Sequence, residues 1–230
     1  MRITLKNAVK DYGSSRVLDI SNLEFKEGIY VILGSNGSGK STLLSCIAGL
    51  NKLSSGNILF DGKILEDCSR NLISVMVQKP YLFNKNSYEN IISGLKFKKV
   101  KKEEMDLRVE KYLHYFEVDE LLNKNSYWLS GGERAKIALL RTAVLQTEIT
   151  MLDEPTASMD IESTIKAENL IKDLAISDKI VIVVTHDVYQ AKRIADYVIF
   201  MDKGKIIEIG DKDSVLNNPN NDLVKQILNI

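Results

Sequence analysis

Ile29-Tyr30-Val31-Ile32-Leu33-Gly34-Ser35-Asn36-Gly37-Ser38-Gly39-Lys40-Ser41-Thr42 constrains the architecture more tightly than any other segment of the chain. An apolar run enters a glycine-rich loop, and Leu43, Leu44, Ile47 and Ala48 follow at helical spacing. The order predicts strand, loop, helix. Gly34 to Ser41 satisfies G-x-x-x-x-G-K-[ST], the phosphate-binding loop pattern. Glycines let the backbone turn tightly and aim several N–H groups into one concavity, and the helix N-terminus adds positive dipole. Lys40 then reaches β- and γ-phosphates, and the Ser41 hydroxyl is placed to ligate Mg²⁺. A Gly/Ser run alone also describes a plain flexible turn. The Gly39-Lys40-Ser41 triplet between strand and helix is what points to a nucleoside triphosphate. The loop does not say what the nucleotide is for.

Composition narrows the class. A chain of 230 residues with 44% hydrophobic and 27% charged residues can bury a sizeable core as one large domain or two small ones. Lys+Arg and Asp+Glu each total 31, so no basic excess suggests general nucleic-acid binding. Two cysteines, Cys46 and Cys68, make neither a disulfide framework nor a zinc spacing. Cys46 sits among Leu43, Leu44 and Ile47 and reads as a small buried hydrophobe. Met1 to Lys6 lacks the apolar core of a signal peptide, and no apolar run reaches the roughly 18 residues of a membrane span. A cytosolic protein is expected, with any membrane role supplied through a partner.

Upstream of the loop, Ile3-Thr4-Leu5, Val17 to Ile20 and Leu23-Glu24-Phe25, broken by Gly13 and Gly28, predict strands of a small antiparallel sheet. Tyr12, beside Gly13, either stacks on a purine ring with Val17 as apolar neighbour or packs on the sheet; spacing does not choose. Downstream, Ile58-Leu59-Phe60 and Ile64-Leu65 around Asp61-Gly62 predict a hairpin. Ile73 to Val77 predicts a strand ending in Gln78, which either meets a ligand or faces solvent before a turn.

From about residue 84 to 147 the character is helical. Glu89 to Leu95 and Glu103 to Phe116 carry helical apolar spacing between charges. The lysines Lys96, Lys98, Lys99, Lys101 and Lys102 precede Glu103, Glu104, Asp106 and Glu110, which reads as a solvated linker and helix start. His114 has no histidine or cysteine companion and reads as structural. Leu129-Ser130-Gly131-Gly132-Glu133 then opens a helix, a second potential anion site. Ile149-Thr150-Met151-Leu152 predicts a buried strand ending in Asp153-Glu154-Pro155, where Asp153 can hold Mg²⁺ and Glu154 can polarise a water.

The last third places a helix over Glu162 to Ala175, a strand over Ile180 to Val184, and His186 at that strand's carboxyl end; a lone histidine is commonly structural, but the carboxyl edge of an α/β sheet favours a phosphate contact. A helix through Ala195 and strands over Tyr197 to Met201 and Lys205 to Ile209 follow, with a short Asn/Pro turn before a terminal amphipathic segment. Continuous β-branched runs alternating with helices predict a mostly parallel sheet covered on both faces.

Taken together, these motifs resemble the ATP-binding subunits of ABC transporters over essentially the whole chain. Gly34 to Thr42 matches Walker A, Ile149 to Glu154 Walker B, and Leu129 to Glu133 the LSGGQ signature with Glu133 for glutamine. Gln78 matches the Q-loop, Ala157 to Asp160 the D-loop, His186 the switch histidine and Tyr12 the adenine-stacking aromatic. The resemblance implies an α/β P-loop NTPase with a RecA-like core, an N-terminal antiparallel β subdomain and an inserted helical subdomain near 84–147, all within one ABC ATP-binding domain, 1–230. It implies ATP and Mg²⁺, with Ser41, Gln78 and Asp153 at the metal, Glu154 as base, and His186 at the γ-phosphate. Tyr12, Val17, Gly34, Ser35, Asn36, Gly37, Ser38, Gly39, Lys40, Ser41, Thr42 and Gln78 would contact the bound ATP. It also implies a head-to-tail homodimer in which Ser130, Gly131, Gly132 and Glu133 meet the nucleotide held by the other subunit, with Asp160 in the D-loop.

Among transport machines, Pro80 to Ile91 is similar to importer subunits that receive a permease coupling helix there, most of all those for oxyanions such as tungstate or molybdate. That implies transmembrane permease subunits, an extracytoplasmic solute-binding protein, no nucleic acid, and a peripheral place on the cytoplasmic face of the cell membrane. An exporter or lipoprotein-release ATPase is an alternative. A soluble ABC ATPase of translation or DNA maintenance is another, though paired cassettes or a coiled-coil insertion would be expected there. The roughly twenty residues after Gly210 suggest no appended regulatory β-domain.

Overall fold

A computed structural model describes residues 1–64 and 71–229. Leu65 of the expected hairpin and Cys68 lie outside the described residues. Ten strands and nine α-helices are found among the described residues. β1 (Ile3–Tyr12), β2 (Ser15–Phe25), β4 (Ser55–Phe60) and β5 (Lys63–Ile64) form an antiparallel sheet in the order β2-β1-β4-β5. The three short runs expected upstream of the loop are thus two long strands of one hairpin, Tyr12 pairing with Ser15. Asp61 (φ 47) and Gly62 (φ 80) both take positive φ between β4 and β5, the two-residue turn whose twist suits a hairpin.

The second sheet runs β10-β9-β3-β8-β7-β6, with β3 (Gly28–Gly34), β6 (Ile73–Met76), β7 (Ile149–Asp153), β8 (Ile180–Val184) and β9 (Tyr197–Asp202) parallel. β10 (Lys205–Asp211) closes one edge antiparallel to β9. Both faces are covered, so the central strands are apolar throughout. Their residues still sort by parity: Ile29, Val31 and Leu33 join one core with Val181, Val183, Val198 and Phe200, whereas Tyr30 and Ile32 join a second with Ile182, Val184, Ile199 and Met201. The second core holds α1 (Lys40–Ile47) against the antiparallel sheet and includes buried Cys46. Thr150, the polar residue inside β7, is buried near the hydroxyls of Ser74 (3.4 Å) and Thr147 (3.5 Å), so its burial leaves no orphan.

The first core is completed by the helical segment: α2 (Ser87–Ile91), α3 (Ser93–Phe97), α4 (Lys102–Leu113) and α5 (Gly131–Ala143). Several boundaries differ from the sequence expectation: the helix expected to reach Phe116 ends at Leu113, and β10 runs on to Asp211. The strand expected over 73–77 stops at Met76, and the helix expected over Glu89 to Leu95 is two short helices, with the Ser93 hydroxyl donating to the Asn90 carbonyl at their junction (2.7 Å). α6 (Ile161–Leu174) and α7 (Val188–Ile194) precede and follow β8. The C-terminal segment is two helices, α8 (Lys212–Asn217) and α9 (Asp222–Leu228), of which only one was expected.

Candidate functional site

Because β3, β8, β7 and β6 are parallel and in register, their carboxyl ends lie on one edge. Ile32 and Asp153 both pair with Val184, so the loop after β3 and the acidic pair after β7 flank the end of β8. A cavity of about 380 Å³ opens there. Of the expected residues it is lined by Val17, Asn36, Gly37, Ser38, Gly39, Lys40, Ser41, Thr42, Gln78, Asp153 and Glu154. Val184 forms part of the wall and was not expected; its only signal was its place as the last residue of a strand.

The loop's shape follows from its glycines. A Cβ on Gly34 would lie 2.2 Å from the Met201 carbonyl oxygen, and one on Gly39 (φ 101) 2.7 Å from that of Val17. Any side chain at either position would force backbone apart. Gly39 also stands at the N-cap of α1, where no side chain caps the helix, unlike α5, α6 and α7. The first-turn amides of α1 are therefore left for an anion. Lys40 folds back over the loop: its Nζ donates to the carbonyls of Gly34 (2.8 Å) and Ser35 (2.9 Å) and lies 3.4 Å from Ser38 Oγ. Burial pushes the Lys40 ammonium below the ordinary lysine range, against the opposing pull of Glu154 and Asp153. A buried, poorly solvated cation at the mouth of an amide-lined loop suits a polyphosphate.

Across the cavity, Asp153 is buried and its Oδ1 has no hydrogen-bond partner. Burial pushes its carboxyl up, with Ser41 and Lys40 opposing. An orphaned buried carboxylate oxygen beside the Ser41 hydroxyl and Gln78 fits an Mg²⁺ ion, a hard cation that takes oxygen ligands. Glu154 has a left-handed backbone (φ 49), a conformation an L side chain adopts at a cost. Its amide donates to the Val184 carbonyl (2.8 Å), and its Oε1 lies 2.9 Å from Nδ1 of the exposed His186. The turn after Glu154 is tied to α7 by a bond that no local pattern in the sequence signals: buried Gln190 donates through Nε2 to Thr156 Oγ1 (2.9 Å).

Tyr12 is half exposed at the β1–β2 turn, outside the cavity lining, with the Lys10 ammonium 4.7 Å above its ring centre. Ser130, Gly131, Gly132 and Glu133 also lie outside the lining. Ser130 caps α5: its Oγ accepts from the Glu133 amide (3.2 Å) while Glu133 Oε2 accepts from the Ser130 amide (2.6 Å). Lys124 pairs with the other Glu133 oxygen at 3.0 Å, and these bonds hold the Glu133 carboxyl below its usual range. A Cβ on Gly132 would sit 2.9 Å from the Ser158 carbonyl, so the α5 start and the turn before α6 are in close contact within the chain. Asp160 caps α6 through the Ser163 amide (2.7 Å).

The strand–loop–helix cradle, with an acidic pair on the next-but-one strand, defines a P-loop NTPase with an antiparallel β subdomain. The profile of the family described as "ABC transporter" matches residues 18–157. The chain is 36% identical to phosphate import ATP-binding protein PstB 1 of Vibrio vulnificus (strain YJ016), over 94% of this chain and 86% of that one. It is 35% identical to tungstate uptake system ATP-binding protein TupC of Peptoclostridium acidaminophilum, over 90% and 98%. A solved dimeric structure of MJ0796, a bacterial ABC transporter cassette, superposes with a TM-score of 0.84 at 29% identity, over 91% of this chain and 98% of that one. A second structure of that cassette, in a post-hydrolysis state bound to ADP and Pi, gives 0.83 at 29% identity, again over 91% and 98%. The chain belongs to the ABC transporter family and is an ATP-binding cassette, an ATPase. No helix among the described residues is long and apolar enough to cross a membrane.

Proposed function

We propose that this chain is a single ABC ATP-binding domain, 1–230, that powers uptake of a small oxyanion of the tungstate, molybdate or phosphate type through separate permease subunits. The observation that carries the ATPase part is the Glu154–His186 pair, held by a left-handed backbone across one cavity from Lys40. Similarity to phosphate, tungstate and molybdate/tungstate import ATPases supports the solute class.

Water attacks the γ-phosphorus in line, an O–P bond forms, and the bond to the β-phosphate oxygen breaks. Glu154 takes the attacking water's proton, and His186, donating from Nδ1 to Oε1, fixes the carboxylate and presents its ring to the γ-phosphate. Lys40 and the loop amides neutralise charge developing on the phosphoryl oxygens, while Val17 and Tyr12 receive the nucleoside. Ser41, Gln78 and Asp153 would hold Mg²⁺, which when bound supplies charge neutralisation on the phosphates.

Ser130, Gly131 and Gly132, outside this cavity, complete the site of a second copy in a head-to-tail dimer, with Asp160 ordering the turn between the two nucleotides. The permease coupling helix docks beside Tyr81 and Phe83, both exposed after Gln78. Arg141 holds the Tyr81 carbonyl (2.8 Å), and Asn90 and Ser126 hold the backbone of Phe83. In this reading the chain sits on the cytoplasmic face of the membrane, an extracytoplasmic solute-binding protein stands opposite, and residues 84–147 relay nucleotide state to the permease. Reconstitution with its permease tests the reading: tungstate, molybdate or phosphate should stimulate ATP hydrolysis, whereas solute-independent association with ribosomes or DNA would overturn it.

A further inference from the structure

Away from the nucleotide cavity, one segment combines charge with apolar exposure. Lys96-Phe97-Lys98-Lys99-Val100-Lys101-Lys102 joins α3 to α4 with five lysines and no carboxylate. Phe97 is 93% exposed, more than any other large apolar side chain among the described residues. The tip is an ordered turn: Lys98, Lys99 and Val100 donate their amides to the carbonyls of Gly94, Lys96 and Leu95, and Lys99 takes a left-handed φ of 54. Val100 packs against the core beneath it.

Not every lysine is free. Lys96 pairs with Glu89 (2.6 Å), and Lys98 donates to the Asn71 carbonyl (2.9 Å). Lys99, Lys101 and Lys102 are exposed and pair with no carboxylate among the described residues. Glu103 and Glu104 follow on the first turn of α4, where they complement the helix dipole, and Glu104 is held by Arg108 (2.7 Å). A rigid turn that keeps an aromatic ring in water among like charges returns nothing to the fold, since the ring forgoes burial and the ammoniums repel. Both costs vanish against a surface that is anionic outside and apolar within.

We propose that this turn docks on an anionic lipid bilayer, with Phe97 entering the headgroup–acyl boundary and Lys99, Lys101 and Lys102 contacting lipid phosphates. Basic side chains around an apolar wedge are the combination that holds proteins at such interfaces. A single-stranded nucleic acid fits less well, because its bases need successive stacking platforms and the turn offers one ring. The proposal stands apart from the choice of permease and solute, because it needs neither.

Co-sedimentation of the full chain with vesicles tests it. At about 0.1 M salt, where the screening length is roughly 10 Å, the chain should partition into vesicles containing one-third phosphatidylglycerol and not into pure phosphatidylcholine, and binding should vanish near ~1 M. K99E/K101E/K102E should weaken partitioning about a hundredfold or more. Phe97→Ala should weaken it severalfold with the salt dependence unchanged. Both variants should keep the wild-type ATPase rate in solution and the wild-type melting curve. No preference for anionic vesicles, variants that bind like wild type, or tighter capture of a single-stranded RNA oligonucleotide at the same salt would each overturn the proposal.

Discussion

Lys40 and Glu133 show how far single side chains are committed to their local surroundings. The Lys40 ammonium is stripped of water and held by two loop carbonyls, so the fold gains little from its charge. Lys40→Ala should therefore weaken ATP binding at least tenfold by calorimetry while leaving the thermal midpoint unchanged or slightly raised. Glu133 stands where the signature pattern has glutamine, and its carboxylate is committed to capping α5 and to Lys124. Its folded pKa is depressed, so it contributes stability above the unfolded glutamate value that is lost as pH falls through the depressed one. Glu133→Gln keeps the cap, which is worth about 1 kcal/mol, but removes that acid dependence. Denaturation midpoints measured from neutral to acid pH should fall less steeply in the variant. The gathering of Lys40, Asp153 and Glu154 at one cavity was legible in the sequence because each sits at a fixed step beyond an apolar run. The Gln190–Thr156 bond was not, since nothing local to either residue names its partner.

At the scale of elements, α6 and α7 are joined by a fork: Arg193 donates to both oxygens of buried Glu168 (2.8 and 2.7 Å). Asp187, beside His186, caps α7, so the Arg193–Glu168 pair anchors the helix that follows His186. Arg193→Ala leaves a buried carboxylate unpaired and should cost roughly 3 kcal/mol in urea unfolding. Arg193→Ala combined with Glu168→Leu should recover most of the loss. β3, β7 and β8 were legible because strands buried on both faces are apolar throughout. The break between α2 and α3 and the existence of α8 were not, because helices of five or six residues are set by packing and caps more than by periodicity. The length of the β1–β2 hairpin escaped for a related reason: polar residues on its exposed face interrupt the apolar pattern.

For the whole molecule, the geometry keeps the glycine loop and the Ser130 to Gly132 turn apart within one chain, as the proposed head-to-tail dimer requires. The cavity at the sheet edge holds the loop and the acidic pair; His186, bonded to Glu154, lies outside its lining, and Ser130 to Gly132 stand outside it too, at the head of a separate helix. The sheet and its two cores were implied by the pattern of the chain, and the resemblance already implied that Ser130 to Gly132 serve another copy's nucleotide; the close approach of Gly132 to Ser158 could be seen only in three dimensions. Glu154→Gln is the sharpest test of ATP hydrolysis at this site, because it removes the proposed base and leaves the cradle intact. With ATP and Mg²⁺, hydrolysis should fall at least about a hundredfold, nucleotide affinity should stay within a few-fold, and size-exclusion chromatography should show a stable dimer that ADP does not support. Hydrolysis at near wild-type rate, or a variant that stays monomeric with ATP bound, would contradict it.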